Sequence, residues 1–386
     1  MTFSLRVCYA SRLEDPLLFV YMGSAALAIQ HIRELLRHGA VREADEGSLQ
    51  PSSLDLSVSG ELYRMRGSFL PQPGEKIRDI LKRGILFPAS LTQPLELNGI
   101  YWIRLNELLD LPSGVFGTTN NKSSSGRINL QTRLIANGVP AFDYVPRGYR
   151  GELWLEVTPK SFPVRLGYGE RLNQMRFFTG NAHLEADELR REYARYGFLR
   201  DADGVALPLR KLANQPGISM TLDLTSHDVV GYRCGPTMGR MLDYARRDHD
   251  PREFFEPIVR PPDGQFVMRR GEFYILATKE FLRVPREFAA EMLPYDVTMG
   301  EFRSHYAGFF DPGWGYGREG ETMGTPAVLE VFTHDRDFVL RDGQPVCQMV
   351  FERLTAPSEI CYGDASLVSN YYRQTGPRLS KHFKIG

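Results

Sequence analysis

The sequence carries no excess of either charge: its 386 residues hold 47 Lys and Arg against 47 Asp and Glu. That balance excludes the broad cationic face with which proteins cover duplex nucleic acid, so any anion site must be local. Cysteine is scarce. Cys8, Cys234, Cys347 and Cys361 are scattered and form no C-x-x-C pair, which argues against a disulfide framework and a structural zinc site and fits a reducing cytoplasm. The apolar stretch LLFVYMGSAALAI (17–29) is too short to span a membrane, follows Glu14 and Asp15, and runs into the helical pattern HIRELLRHGA; neither a membrane segment nor a signal peptide is expected. Met22 is an alternative start, which would leave residues 1–21 as a poorly ordered extension. There is no P-loop and no serine or cysteine nucleophile motif. GYGERLN and GWGYGREG lack the strand–helix setting of a dinucleotide fingerprint and read as turns. HLE (183–185) opens a zinc-deaminase signature that no P-C-x-x-C completes, so zinc-activated water is unsupported.

What the chain does contain is a second copy of itself. Leu155, Glu156 and Val157 recur as Leu329, Glu330 and Val331, and GERLNQMRF (169–177) recurs as GQPVCQMVF (343–351), each pair 174 positions apart. Upstream, GIYWIRLNELLDLP (99–112) parallels GEFYILATKEFLRVP (271–285), and SSLDLSVS (52–59) parallels MTLDLTSH (220–227). Within each copy, short runs rich in Val, Leu, Phe and Tyr are separated by Gly, Pro, Asn and Asp, the rhythm of a β-sandwich or barrel. Helical patterns are confined to 24–38, 184–197, 238–247 and 76–83. The expected fold is mainly β. It consists of a first repeat over 22–182, a connecting helix and linker over 183–214, and a second repeat with a closing C-terminal tail over 215–386.

Three stretches can carry chemistry. NNKSSSGR (120–127) offers a lysine, three hydroxyls, a glycine and an arginine to phosphate oxygens, although such a tract is also an ordinary solvated turn. In AVLEVFTHD (327–335), strand alternation puts Glu330 in one row with Val328 and Phe332. If that row faces inward, desolvation raises the carboxyl pKa and suits it to proton shuttling; a core-edge glutamate is the plainer alternative. The tail SNYYRQTGPRLSKHFKIG has the composition of an arm that closes over an anionic ligand, or of a frayed basic terminus.

Against this background AGFFDPGWG followed by AVLEVF resembles the signature region of dCTP deaminases, a D-P-G-W-x-G turn before a strand carrying L-E-F. GQPVCQMVFERL resembles that family's next strands and NYYRQTGP its closing tail. KSSSGR is similar to its R-S-S-x-x-R phosphate loop, and YRGELWLEV to the Y-R-G-E turn of the related dUTPases. The order matches in both repeats over most of 45–180 and 215–382, and the chain most resembles the long, duplicated bacterial form of the family.

The resemblance implies tandem dUTPase-like repeats and hydrolysis of dCTP to dUTP and ammonia, without zinc and with Mg²⁺ accompanying the triphosphate. The implied partners are dCTP and dUTP, with dTTP a candidate inhibitor of the same pocket and a homo-oligomer the expected assembly. Carried over by motif, Lys122, Ser123, Ser124 and Arg127 hold the triphosphate, and Lys122 is a point charge where the family has a forked arginine. Asp311 approaches the deoxyribose hydroxyl, the backbone at Ala307 reads the cytosine edge, and Tyr371 and Gln374 are tail contacts. Glu330 matches the catalytic glutamate, oriented by Arg127, with Glu156 the alternative in the first copy. No metal ligand comes from a protein side chain.

Two departures shape the expectation. The second repeat has the shorter GEFRSHYAG (300–308) in place of a serine loop, and the first has FDYVPRGYRG (142–151) in place of the D-P-G-W turn. Each copy keeps half of a site, which predicts that Lys122 to Arg127 face Asp311 and Glu330 across a repeat–repeat interface. Asn370 stands where the family has lysine. A dUTPase-like pyrophosphatase, a bifunctional enzyme and a non-catalytic nucleotide-binding regulator stay open as alternatives.

Overall fold

The computed structural model describes residues 23–83, 86–209, 217–235, 240–294, 302–304, 308–333 and 336–384. The expectations for residues 1–21, for Met22 and Cys8 and for Ala307 lie outside these. Six main strands build the first repeat: β1 (Leu54–Met65), β2 (Ile100–Asp110), β3 (Phe116–Asn121), β4 (Leu130–Ala136), β5 (Arg150–Pro159) and β6 (Arg171–Phe178). Seven follow in the second: β7 (Ile218–Thr221), β8 (Val229–Cys234), β9 (Phe273–Leu282), β10 (Phe288–Pro294), β11 (Phe309–Phe310), β12 (Thr325–Thr333) and β13 (Pro345–Arg353). The helices are α1 (Ile29–Arg37), α2 (Ile77–Leu81), α3 (Ser123–Gly126) and α4 (Ala186–Tyr196).

In the first repeat the strand order is β4-β5-β2-β1-β6-β3, closed by Tyr144–Val145. The second repeats this order in two pieces. Phe302–Ser304, β12, β9 and β8 form one run and β7, β13, β10 and β11 the other, so that the counterpart of the long β1 is broken into β7 and β8. The copies also share hydrogen bonds. The Tyr101 hydroxyl accepts from the Glu96 N–H (3.0 Å) as the Tyr274 hydroxyl accepts from Arg269 (2.8 Å). Glu107 receives the Ser57 N–H and hydroxyl as Glu280 receives those of Thr221.

These pairings correct one correspondence. Leu56 lies opposite Asn173 and Met220 opposite Cys347, so Leu56 corresponds to Met220, and the match of the two LDL runs is displaced by four residues. An even displacement keeps every side chain on its own face, so alternation alone could not fix the register. A second correction concerns 238–247. Residues 236–239 lie outside the description, but 240–247 are not helical: Leu242–Asp243 pairs in parallel with Val164–Arg165, and Leu242 and Tyr244 are buried at strand spacing. The patterns at 24–38, 76–83 and 184–197 do contain α1, α2 and α4. Among the described residues no helix is long and apolar enough to cross a membrane, and Cys234, Cys347 and Cys361 are free thiols.

Each repeat has its own core, and β12 separates the two. Ala327, Leu329 and Val331 point into the second-repeat core, whereas Val328 and Phe332 pack against the first-repeat core. Period-two alternation therefore sends Glu330, between Val328 and Phe332, toward the other repeat.

Candidate active site

The tract after β3 is a buried one-turn helix, α3, rather than a solvated loop. Its base is fixed by Asn121, whose side chain donates to the Leu130 carbonyl (2.8 Å) and accepts from the Thr132 N–H (3.0 Å) across the turn. The three serines have separate partners. Ser123 lines the cavity beside Glu330. Ser124 receives the Tyr371 hydroxyl (3.3 Å), and Ser125 donates to the Leu172 carbonyl (3.0 Å) and meets the Tyr244 hydroxyl. Gly126 carries no side chain for a steric reason: a Cβ there would run into the Glu330 carboxylate, nearer than real Cβ atoms approach.

Glu330 is 7% exposed and has no hydrogen-bond partner among the described residues. Burial pushes its carboxyl up to about 8, against the pull of the Arg127 guanidinium. Arg127 is itself buried. Its Nη1 donates to Gln374 Oε1 (3.2 Å) and to the Arg378 carbonyl (2.9 Å), and its guanidinium lies 3.8 Å from the centroid of the Tyr371 ring. The tail thus closes over α3. Gln374 also donates to the Pro326 carbonyl (2.9 Å), and the Ser380 hydroxyl donates to the Ser124 carbonyl (2.8 Å).

Asp311 comes from the turn after β11. Gly315, at φ 57°, is pressed against the Leu282 carbonyl, where no side chain fits, and the Trp314 carbonyl accepts from the Val284 N–H (2.8 Å). The Asp311 carboxylate is 8% exposed and accepts from the Ser52 hydroxyl (2.8 Å), with Arg176 Nη2 3.9 Å away. Burial raises its pKa while Arg176 draws it down.

A small cavity of about 30 Å³, enough for a water, lies against Glu330 between Asn121, Arg127, Phe309, Trp314 and Val328. Ser123, Phe309 and Trp314 also wall a cavity of about 70 Å³ reaching Asp311, Lys122, Ser124 and Tyr371. Gln50, Lys122, Val368 and Asn370 lead from it to one of about 580 Å³ lined by Arg33, Asp55, Glu170, Arg247 and Lys381. The path runs from a buried carboxyl, past a second carboxylate and hydroxyls, to a basic basin. Lys122 is ion-paired with Asp55, and Lys381 is pushed down to about 8 by burial and then by Lys122 and Arg247.

Two family models divide the chain between them: the N-terminal domain of 2′-deoxycytidine 5′-triphosphate deaminase matches residues 24–181, and its C-terminal domain matches 193–383. A crystal structure of 2′-deoxycytidine 5′-triphosphate deaminase from Agrobacterium tumefaciens superposes with a TM-score of 0.78 at 35% identity, covering 87% of this chain and 99% of that one. The chain belongs to the dCTP deaminase family. Its fold is accordingly dUTPase-like. Curated relatives named "dCTP deaminase, dUMP-forming" include one from Methanosphaera stadtmanae, 34% identical over 135 residues, and one from Methanothermobacter thermautotrophicus, 32% identical over 121. Those alignments take in 34% and 31% of this chain and 64% and 57% of the relatives, less than two thirds of their length.

Within this family chain, the structure brings together Lys122, Ser123, Ser124, Arg127, Asp311, Glu330, Tyr371 and Gln374, drawn from both repeats and the tail. It leaves Glu156 elsewhere. That carboxylate accepts from the Ser68 hydroxyl (2.8 Å) and the Trp102 indole N–H (3.1 Å), beside the cluster under α2. Sequence reasoning missed Ser52, Arg176, Arg247 and Lys381. Ser52 and Arg176 lie within the repeated runs SSLDLSVS and GERLNQMRF, but neither is matched in the other copy; for Lys381 the only signal was the basic composition of the tail.

Proposed function

We propose that this chain deaminates dCTP to dUTP and ammonia, with Glu330 as the only general acid and base and with water activated by that carboxyl rather than by zinc. The observation that carries the reading is the meeting of a buried carboxyl, without hydrogen-bond partners among the described residues, on a second-repeat strand with Gly126 of a first-repeat turn. At neutral pH Glu330 starts protonated. It protonates cytosine N3, and the resulting carboxylate takes a proton from the water attacking C4. It returns that proton to the amino group, then accepts the C4 hydroxyl proton as the C–N bond breaks, so the carbonyl forms, ammonia leaves and Glu330 is protonated again. Proton transfer of this kind contributes roughly 10²- to 10⁴-fold.

In this reading Arg127 steadies the glutamate, Asp311 takes the sugar hydroxyl, and Lys122, Ser123, Ser124, Arg247 and Lys381 receive the triphosphate. Tyr371 and Gln374 close the site. Among the described residues no three His, Cys, Asp or Glu side chains converge as a metal cage. Magnesium would come with the triphosphate, offsetting phosphate charge and taking no ligand from a protein side chain. The repeats supply the two halves within one chain, and dTTP would compete for the same path.

Glu330→Gln is expected to abolish ammonia release from dCTP while calorimetry still detects dCTP binding. Full activity in that variant sinks the assignment. Release of pyrophosphate as well is a second reading, supported by the dUMP-forming names of the relatives; assaying ammonia and pyrophosphate from dCTP and from dUTP separates the two.

A further inference from the structure

Arg176 is a first-repeat residue, 0% exposed on β6, whose guanidinium, among the described residues, holds second-repeat groups. Nη1 donates to Glu352 Oε2 (2.7 Å) and to the Ala290 carbonyl (3.0 Å). Nη2 donates to the Phe310 carbonyl (2.9 Å) and lies 3.9 Å from Asp311 Oδ1, and the Phe309 ring centroid is 4.1 Å from the guanidinium carbon. Packed apolar residues of similar volume often replace a buried ion pair without loss of stability, so stability alone does not account for this one.

What the guanidinium fixes is the turn. The Phe310 carbonyl belongs to the peptide that leads into Asp311, and Phe309 and Phe310 wall the cavity beside Glu330. The duplicated positions lack the device: Val350 stands in the place of Arg176 and Phe178 in that of Glu352. The latch therefore exists only at the interface where an aspartate follows the hairpin. Resting on the reading of Asp311 as the sugar ligand, we propose that Arg176 is a positioning residue that sets the Asp311 turn against the first-repeat half and thereby determines recognition of the deoxyribose 3′-hydroxyl.

The test is a comparison of Kd for dCTP and for its 2′,3′-dideoxy analogue by calorimetry, a readout that does not depend on deamination. The native chain should prefer dCTP at least about tenfold, since a site built to bond a hydroxyl rejects the analogue lacking it. Arg176→Met combined with Glu352→Leu removes both charges and keeps an apolar filling; the preference should collapse to within about twofold through weaker dCTP binding alone. Arg176→Lys, which cannot span two carbonyls and a carboxylate, should fall between. A preserved preference in the folded double variant overturns the proposal, as does equal weakening of both ligands, the mark of a merely structural role. A native chain that does not discriminate overturns it too, whatever the ammonia assay gives. If the double variant does not fold, Glu352→Gln decides: a preference reduced about threefold supports the latch, and an unchanged one overturns it.

Discussion

Glu156 and Glu330 occupy the same place in two copies of one fold, yet their surroundings differ. Both follow a leucine and precede a valine, and both lie on the face of the strand turned away from their own repeat's main core. Over Glu156 the first repeat lays its own helix, α2, and the carboxylate is bonded to Ser68 and Trp102. Over Glu330 the neighbouring repeat lays α3, whose Gly126 abuts the carboxylate, and among the described residues that carboxylate has no hydrogen-bond partner. The hairpin shows the same divergence. Tyr144–Val145 pairs with Thr118 and Gly117 as Phe309–Phe310 pairs with Glu291 and Ala290, so Pro146 stands in the place of Asp311. Duplication made two equivalent scaffolds, and what covers each strand decides which carboxyl is hydrogen-bonded and which is not.

Neutralising each glutamate in turn should separate the two copies most sharply. Glu330→Gln should lower kcat by at least about 10²-fold, whereas Glu156→Gln should leave kcat within about twofold and lower Tm instead, because it disturbs a bonded buried group. The reverse result would move the site to the first repeat. Nearly as large an effect is expected from Gly126→Ala: the new methyl displaces Glu330 by about an ångström, which can cost about 10²-fold in kcat, while the fold and dCTP binding survive. Native kcat in that variant would show that α3 does not set the position of the glutamate.

A smaller change is expected in the phosphate basin. Lys381→Met should raise the Kd for dCTP about tenfold and leave the Kd for deoxycytidine unchanged. Equal changes for both ligands would remove Lys381 from triphosphate binding.

The mildest perturbation is pH. With a native carboxyl near 8, above its unfolded value, Glu330 contributes stability that is full below pH 4.5 and lost as pH rises through 8. Glu330→Gln should therefore melt at least about 3 °C above the native chain at pH 9, with a smaller gap at pH 5. The native kcat should fall as pH rises through 8, because the cycle begins with a protonated carboxyl. A Tm gap independent of pH would mean that Glu330 is not desolvated.

Much of this was legible in the residues. The constant spacing of LEV and QM-x-F exposed the duplication, and KSSSGR and FDPGWG each carried a recognisable half of the site. The register of β7 was not legible, because Ile218, Met220 and Leu222 present the same alternation as Leu54, Leu56 and Val58 whichever pair is matched. Nor were Arg176 and Lys381: an arginine within a strand reads as solvated, and a lysine in a basic tail as one charge among several. Their meaning lies in partners far along the chain, Glu352 and Phe310 for the first, Lys122 and Arg247 for the second.

That the chain is duplicated, mainly β and carries a divided set of chemical groups could be read without a fold, since periodicity, turn residues and repeats are local properties written along the chain. Both glutamates are buried, and it is the folded packing that gives Glu156 two hydrogen-bond donors and Glu330, among the described residues, none. Desolvation depends on what lies across the strand, and for Glu330 that is a turn some two hundred residues earlier, brought there by the packing of one repeat against the other.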